Sequence, residues 1–313
     1  MLVRFWGVRG SLPSPLSPHD IKEKIDTILG MALPEDIADA ESKRRFLDEL
    51  PPWLYGTVGG NSPCVSVAFD GFQEPIIFDC GSGLKDFGFA CSKQNPMPTK
   101  YHIFFSHFHW DHLLGFPFFT PAYNASVTLD FYSPLLTLEK ALAGQMCSPY
   151  FPVTMDVMPA AKVFHQLKKP LSLGPAKIEF RKMNHPDTSF AFSVSHNGRR
   201  FIYATDAELS DDDFAKTKEN TNFFKDADVI VLDSQYTMDE AIGKSNWGHS
   251  SFDVSVDFAA HWGIKHLVLF HHDPTYDDKK LAGMLQSARL HLERKDVQNM
   301  NISLATEDLE IVL

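Results

Sequence analysis

Three observations predict an α/β chain of layered sheets. Short runs rich in Val, Ile and Phe recur from end to end, each closed by Gly, Pro, Asn or Asp. Apolar residues spaced by about 3.6 positions appear between several of these runs, the period of a helix with one buried face. With 313 residues, 44% of them hydrophobic, the chain can bury a core without metals or disulfides as staples, so a metal is expected to serve chemistry before structure. No repeat of about 20 to 50 residues and no low-complexity tract divides it, and residues 1–313 read as one domain.

Taken in order, strands are expected at Leu2 to Trp6, Cys64 to Phe69, Pro75 to Phe78, His102 to Phe105 and Val127 to Tyr132. Five more follow at Lys177 to Lys182, Phe190 to Ser195, Arg200 to Thr205, Val229 to Leu232 and His266 to Phe270. Asn197-Gly198 tolerates positive φ at both positions, which predicts a type I′ turn and antiparallel neighbours on either side. Ile21, Ile25, Ile28 and Leu29 share one helical face, and Pro34-Glu35-Asp36 offers a second helix start with acids on the positive end of its dipole. Further helices are expected at Leu135 to Met146, Ser251 to Trp262 and Asp277 to Lys295. The segment 15–52, with proline at both ends, reads as a helical insertion after the first strand. It serves for packing, for pairing with a second copy in a homodimer, or as a lid over a site.

Composition excludes several classes. No apolar run reaches the roughly 18 residues of a membrane span, and the N-terminus carries no signal-peptide pattern, so no membrane role and a cytoplasmic location are expected. Cys64, Cys80, Cys91 and Cys147 form no C-x-x-C pair and read as reduced, mostly packed thiols. Against 40 Asp and Glu stand 29 Lys and Arg, a formal charge of −11. That balance argues against gripping a long nucleic acid, whose affinity comes largely from cations neutralising phosphates. A small anionic substrate remains compatible with it.

The chemistry concentrates where the fourth strand ends. Ser106 is followed by His107-Phe-His109-Trp-Asp111-His112, four ligand-type side chains in the spacing H-x-H-x-D-H. Imidazoles and carboxylates suit borderline divalent ions such as Zn²⁺, Mn²⁺ or Fe²⁺. Alternation along an extended chain sends His107 and His109 to one side, toward one ion, while Asp111 and His112 turn into the next helix and can face a second. Left unpaired in so apolar a setting, these groups would be costly. Further ligand types sit after later strands, in Asn184-His185-Pro186, in Asp206-Ala-Glu208 and in His271-His272-Asp273. Each is at a strand's carboxyl end, where α/β folds gather their sites.

This pattern resembles the metallo-β-lactamase superfamily, whose signature is H-x-H-x-D-H followed by a His, a bridging Asp and a final His. The resemblance implies an αββα sandwich with a binuclear site at one edge, covering residues 1–14 and 53–313. By position it implies that His107, His109 and His185 hold one ion, that Asp111, His112 and His271 hold the other, and that Asp206 bridges. Asp79, after the strand preceding the signature, would orient a ligating imidazole, as such rings require. Asp206 in place of a cysteine, the lack of an export signal and Gly248-His249-Ser250 are similar to the ribonuclease Z and phosphodiesterase branch. The opening Phe-Trp-Gly-Val-Arg9-Gly, then Gly59-Gly60-Asn61 and Phe270-His271-His272-Asp273-Pro274, resemble a bacterial group of metal-dependent hydrolases in that branch. Two departures from ribonuclease Z stand out. Asp233-Ser-Gln-Tyr236 replaces its His-Glu-Ala-Thr motif, and no Lys-rich excursion able to build its RNA-clamping arm is found.

The expected activity is hydrolysis of a small or short phosphodiester, a cyclic nucleotide among the options, by two divalent ions, zinc first and Mn or Fe as alternatives. A hydroxide between the ions is the expected nucleophile, with Asp111 orienting it or accepting its proton. An RNA-processing nuclease and a thioester or lactone hydrolase are the competing activities. His249 is the first candidate for the acid at the leaving oxygen, set against a solvated residue beside a helix cap at Ser250 or Ser251. His272 is the second, set against a loop histidine. Asn61 is a candidate to line the pocket, Arg9 to contact phosphate and Trp247 to stack on a base.

Overall fold

Apolar runs become two facing sheets in the computed structural model, which describes residues 1–295, 297 and 299–313. The first six strands are β1 (Leu2–Gly7), β2 (Cys64–Phe69), β3 (Phe72–Phe78), β4 (Lys100–Phe104), β5 (Thr128–Ser133) and β6 (Ala161–Gln166). After them come β7 (Leu171–Leu173), β8 (Ala176–Met183), β9 (Ser189–His196) and β10 (Arg199–Ala204). The last four are β11 (Val229–Asp233), β12 (His266–Phe270), β13 (Asn301–Leu304) and β14 (Glu310–Val312). One seven-stranded sheet runs β14-β1-β2-β3-β4-β5-β6 and the other β13-β12-β11-β10-β9-β8-β7. All ten expected strands are present; β6, β7, β13 and β14 are additional. Asn197 and Gly198 adopt φ of 49° and 73°, and the turn sets His196 opposite Arg199 in an antiparallel pair, as expected.

The helices are α1 (Pro18–Met31), α2 (Ala40–Glu49), α3 (Pro52–Tyr55), α4 (Gly83–Ser92) and α5 (Leu138–Gln145). Later ones are α6 (Asp211–Phe214), α7 (Lys218–Phe224), α8 (Met238–Ile242), α9 (Phe252–His261) and α10 (Asp278–Glu293). None of the described helices is long and apolar enough to cross a membrane. Phe78 and Phe104 from the first sheet each meet Phe192 of the second at ring separations of 5.6 Å. Every such fully buried phenylalanine contributes roughly 1.5–3 kcal/mol, so this central layer fixes how the sheets face each other. Leu84 and Phe87 of α4 and Leu142 of α5 pack on the outer side of the first sheet. Val256 of α9 and Leu281 and Ala288 of α10 cover the second, completing an αββα stack. The four cysteines are free, three of them buried.

In the segment 15–52, Ser17 caps α1 by accepting the Asp20 amide at 3.2 Å. The helix expected to open at Pro34 is only a 3-10 turn over Pro34–Ile37. Asp39 is the reason: its carboxylate accepts the Ser42 amide at 2.8 Å and starts α2 there instead. Lys24 ties the segment to the body, pairing with Asp278 at the start of α10 and with the Gly56 carbonyl at 2.7 Å.

Strand direction positions the site. β3 to β6 are parallel, as are β10 to β13. The carboxyl ends of each set therefore collect along one edge, and the chain leaves them through Asp79, Ser106, Asp206, Asp233 and His271.

Candidate metal centre

Beyond β4 the chain is pinned before it turns. The Ser106 amide and hydroxyl both donate to Asp79, at 2.8 and 2.7 Å. His107 and His109 follow in extended chain, and Trp110–His112 close a 3-10 turn, shorter than the helix expected there. The turn is locked against the loop after β3. Cys80 donates to the His112 carbonyl and Gly115 donates back to Cys80, both at 2.8 Å. A Cβ at Gly115 would lie 2.0 Å from the Gly81 oxygen, so only glycine permits this approach. On the second sheet, β8 delivers His185, β10 delivers Asp206 and β12 delivers His271.

These side chains converge as two groups. His107, His109, His185 and Asp206 each offer one ligand-type atom, all within 4.8 Å of one another, and so do Asp111, His112, Asp206 and His271. The Asp206 carboxylate faces both. Its Oδ1 lies 3.6 Å from His107 Nε2 and 4.0 Å from His185 Nε2. Its Oδ2 lies 3.1 Å from His112 Nε2 and 3.2 Å from His271 Nε2. Asp111 Oδ2 completes the second group at 3.1 Å from His112 and 3.2 Å from His271.

The remaining ring nitrogens are held from behind. His112 Nδ1 donates to Asp79 at 2.8 Å, and Asp79 also accepts the Tyr203 hydroxyl at 2.9 Å. Gln235 Oε1 takes His271 Nδ1 at 2.9 Å, and Asp187 Oδ2 takes His109 Nε2 at 2.9 Å, leaving Nδ1 of His109 free. The Ser11 amide donates to Asp111 Oδ2 at 2.8 Å, and a Cβ on neighbouring Gly10 would strike the His271 ring at 2.4 Å. Asp79, Asp206 and His271 all adopt positive φ, of 60°, 49° and 63°. Non-glycine residues are held there only where surrounding contacts over-determine them.

The donor set fits divalent ions. His107 Nε2 and His112 Nε2, both facing Asp206, are buried without a hydrogen-bond partner among the described residues. A buried polar atom so placed costs free energy that a cation would recover. Burial lowers the pKa of His107 and takes His185 down to about 4, favouring the neutral form that coordinates. At His112, by contrast, burial is outweighed by Asp111, Asp206 and Asp79, which raise it and mark an acidic surrounding where a cation would be welcome.

His249 stands against both groups, its ring 4.9 Å from His271 and 6.1 Å from His185. Its Nδ1 donates to Asp233 Oδ2 at 2.7 Å. Burial opposes its charge, but Asp233, helped by Asp206 and Asp111, outweighs that and raises the imidazole to about 9. The solvated reading fails for this ring, whose side chain is 10% exposed. Ser251 makes no side-chain cap, and the Ser250 hydroxyl donates to the Ala207 carbonyl at 2.6 Å.

Other expected residues stand elsewhere. His272 is not placed as an acid: it is buried, its Nε2 donates to the Ala305 carbonyl at 2.8 Å, and burial lowers it to about 3. Nor does Arg9 reach the cluster. Its guanidinium is buried against the carbonyls of Gly59 (2.9 Å), Tyr276 (2.7 Å) and Asp273 (3.3 Å). Asn61 turns away to Asp86, Glu307 and Ser82, while its neighbour Ser62 donates to the Asp111 carbonyl at 2.8 Å. Trp247 is 61% exposed on a loop that Glu208 anchors through the amides of Asn246 and Gly248, beside His185.

Asp187, Gln235, Tyr203 and the Ser11 amide escaped sequence reasoning, as did the partnership of Asp233 with His249. The only hint was position. Asp233 and Gln235 lie at and just after the end of β11, and Asp187 follows His185 by two residues.

Residues 75–272 match the profile of a beta-lactamase superfamily domain. A ribonuclease Z of Methanococcus maripaludis (strain C6) is 25% identical over 268 residues, covering 69% of this chain and 83% of the relative. The metallo-beta-lactamase fold protein YhfI of Bacillus subtilis superposes with a TM-score of 0.64 at 15% identity, covering 99% of this chain and 98% of that one. A diphosphatase from the PhnP family superposes with a TM-score of 0.62 at 15% identity, covering 100% and 97%.

Proposed function

The chain belongs to the beta-lactamase superfamily, and from that premise we propose that it is a binuclear metal-dependent phosphodiesterase acting on a small or short phosphodiester. The observation that carries this reading is the single Asp206 carboxylate facing two separate imidazole groups with its two oxygens. His107, His109 and His185 would hold one divalent ion, Asp111, His112 and His271 the other, with Asp206 shared. Five imidazoles and two carboxylates suit Zn²⁺ best, and Mn²⁺ or Fe²⁺ are the alternatives. Bound there, such ions would make water nucleophilic near neutral pH and offset the charge that builds on phosphoryl oxygens.

The protein's own groups do the rest. Asp111, whose Oδ2 accepts the Ser11 amide, would take the proton from the attacking water. Asp233 takes the Nδ1–H of His249, which leaves Nε2 as the nitrogen that would carry the proton for transfer. It would meet the leaving oxygen, where negative charge develops as the bond to phosphorus breaks.

A second reading, an RNA-processing nuclease, is favoured by the similarity to a ribonuclease Z along 83% of that relative. The formal charge of −11 weighs against a long polyanion. Purified, metal-loaded protein should be assayed on bis(p-nitrophenyl) phosphate, cyclic AMP, a precursor RNA, a lactone and a thioester. Turnover of the two small diesters supports the proposal; none at full metal occupancy sinks it, and cleavage of the RNA alone selects the second reading.

A further inference from the structure

Beside the cluster lies a cavity of about 940 Å³ that none of the seven ligand-type residues lines. Its size is that of a small-molecule site. Five aromatic side chains, Phe108, Trp110, Phe118, Tyr150 and Phe151, make much of its wall, and Lys140 is the single charged residue on it. Phe118 and Phe151 meet edge to face at 6.0 Å, while Trp110 and Tyr150 are 72% and 75% exposed, faces free to stack.

Cavity and cluster are joined through the chain at His109. His109 is 44% exposed, whereas every other side chain of the cluster is 6% exposed or less. Phe108 and Trp110, its two neighbours in the chain, are both on the cavity wall. A molecule whose phosphoryl group reaches the cluster past His109 comes alongside Phe108 and Trp110, the residues at which cluster and cavity wall join.

We infer that the aromatic cavity beside His109 takes a flat ring of nucleobase size, carried by the phosphodiester, and so selects aromatic over alkyl esters. This deepens the phosphodiesterase reading and rests on it for the phosphoryl half alone. Stacking supplies the affinity without demanding one particular ring, and Lys140 favours an anionic occupant over a cationic one.

Gly144 of α5 provides the test. It lines the cavity, and a Cβ added there would meet nothing within 4 Å, so Gly144→Phe adds a ring at the wall with no clash at its Cβ. The probes are 1-naphthylphosphonate, whose P–C bond resists hydrolysis, and methylphosphonate, which has no ring. Binding to metal-loaded protein is read by calorimetry. Gly144→Phe and Trp110→Ala are each expected to weaken the naphthyl probe about tenfold and the methyl probe far less. Equal naphthyl affinity in wild type and both variants overturns the inference. Should the ring effect appear while bis(p-nitrophenyl) phosphate is not turned over, the cavity stands and the phosphodiesterase reading falls. Turnover of that diester without any ring effect overturns the cavity's role and leaves the phosphodiesterase reading in place.

Discussion

Asp187 lies on an exposed loop and yet holds Nε2 of His109, a residue of the cluster, at 2.9 Å. An imidazole that coordinates through one nitrogen needs the other fixed, and partners of this kind typically set about 10- to 100-fold in metal affinity. Asp187→Ala is expected to lose metal in that range, with activity recovering at high metal concentration. Titration with a competing chelator checks it; unchanged affinity would mean that the contact is incidental.

Asp206→Ala should be more severe, because it removes the carboxylate shared by both groups. Less than one ion per chain and no measurable turnover are expected by elemental analysis and assay. Two ions per chain in this variant would refute the shared role.

His249→Asn should separate rate from metal. General acid catalysis contributes about 10²- to 10⁴-fold, so kcat should fall within that range while two ions remain bound. Asp233→Asn should follow in the same direction with a smaller loss, since it misplaces the ring and leaves it present.

Arg9 and His272 should prove structural. Arg9→Met leaves three carbonyls without their charged donor, an expected loss of roughly 3 kcal/mol or more in urea unfolding. His272→Phe should cost about 1–3 kcal/mol by orphaning the Ala305 carbonyl, with turnover per metal-loaded molecule close to wild type.

A pH signature is expected outside the cluster, at Asp228. Burial alone would raise its pKa, but Lys265 (2.8 Å), the Arg200 amide (2.8 Å) and Arg199 (2.9 Å) hold it below the ordinary value. A depressed carboxylate stabilises the fold above its unfolded-state pKa and ceases to do so as pH falls through its folded one. Asp228→Asn should therefore lose about 1–3 kcal/mol at pH 7, and the gap to wild type should close on acidification below about pH 4. A gap that is constant across this range would contradict the assignment.

Apolar runs made ten strands legible, and the edges were harder. β6 reads Ala-Lys-Val-Phe-His-Gln, half-buried in alternation with exposed positions, and β7 and β14 are three residues long, too short for a periodic signal. The cluster was legible because four ligand types crowd six positions and the others end apolar strands. Its supports were not. Asp187 looks like any loop acid until β4 and β8 bring it to His109, and Gln235 carries no charge to mark it. Arg9 and His272 misled for a related reason: they flank turns beside the site, and only their carbonyl partners reveal which way they point.

His107, His109 and His112 leave the first sheet, whereas His185, Asp206 and His271 leave the second. Any ion shared between these sets becomes a reversible cross-link across the sandwich, closing a chain loop that begins at His107 and ends at His271. Such a link removes freedom from the unfolded chain as well as bonding the native one. Heat resistance should then rise with the logarithm of free metal concentration, coupling the survival of the fold to the same supply of ions that sets its activity.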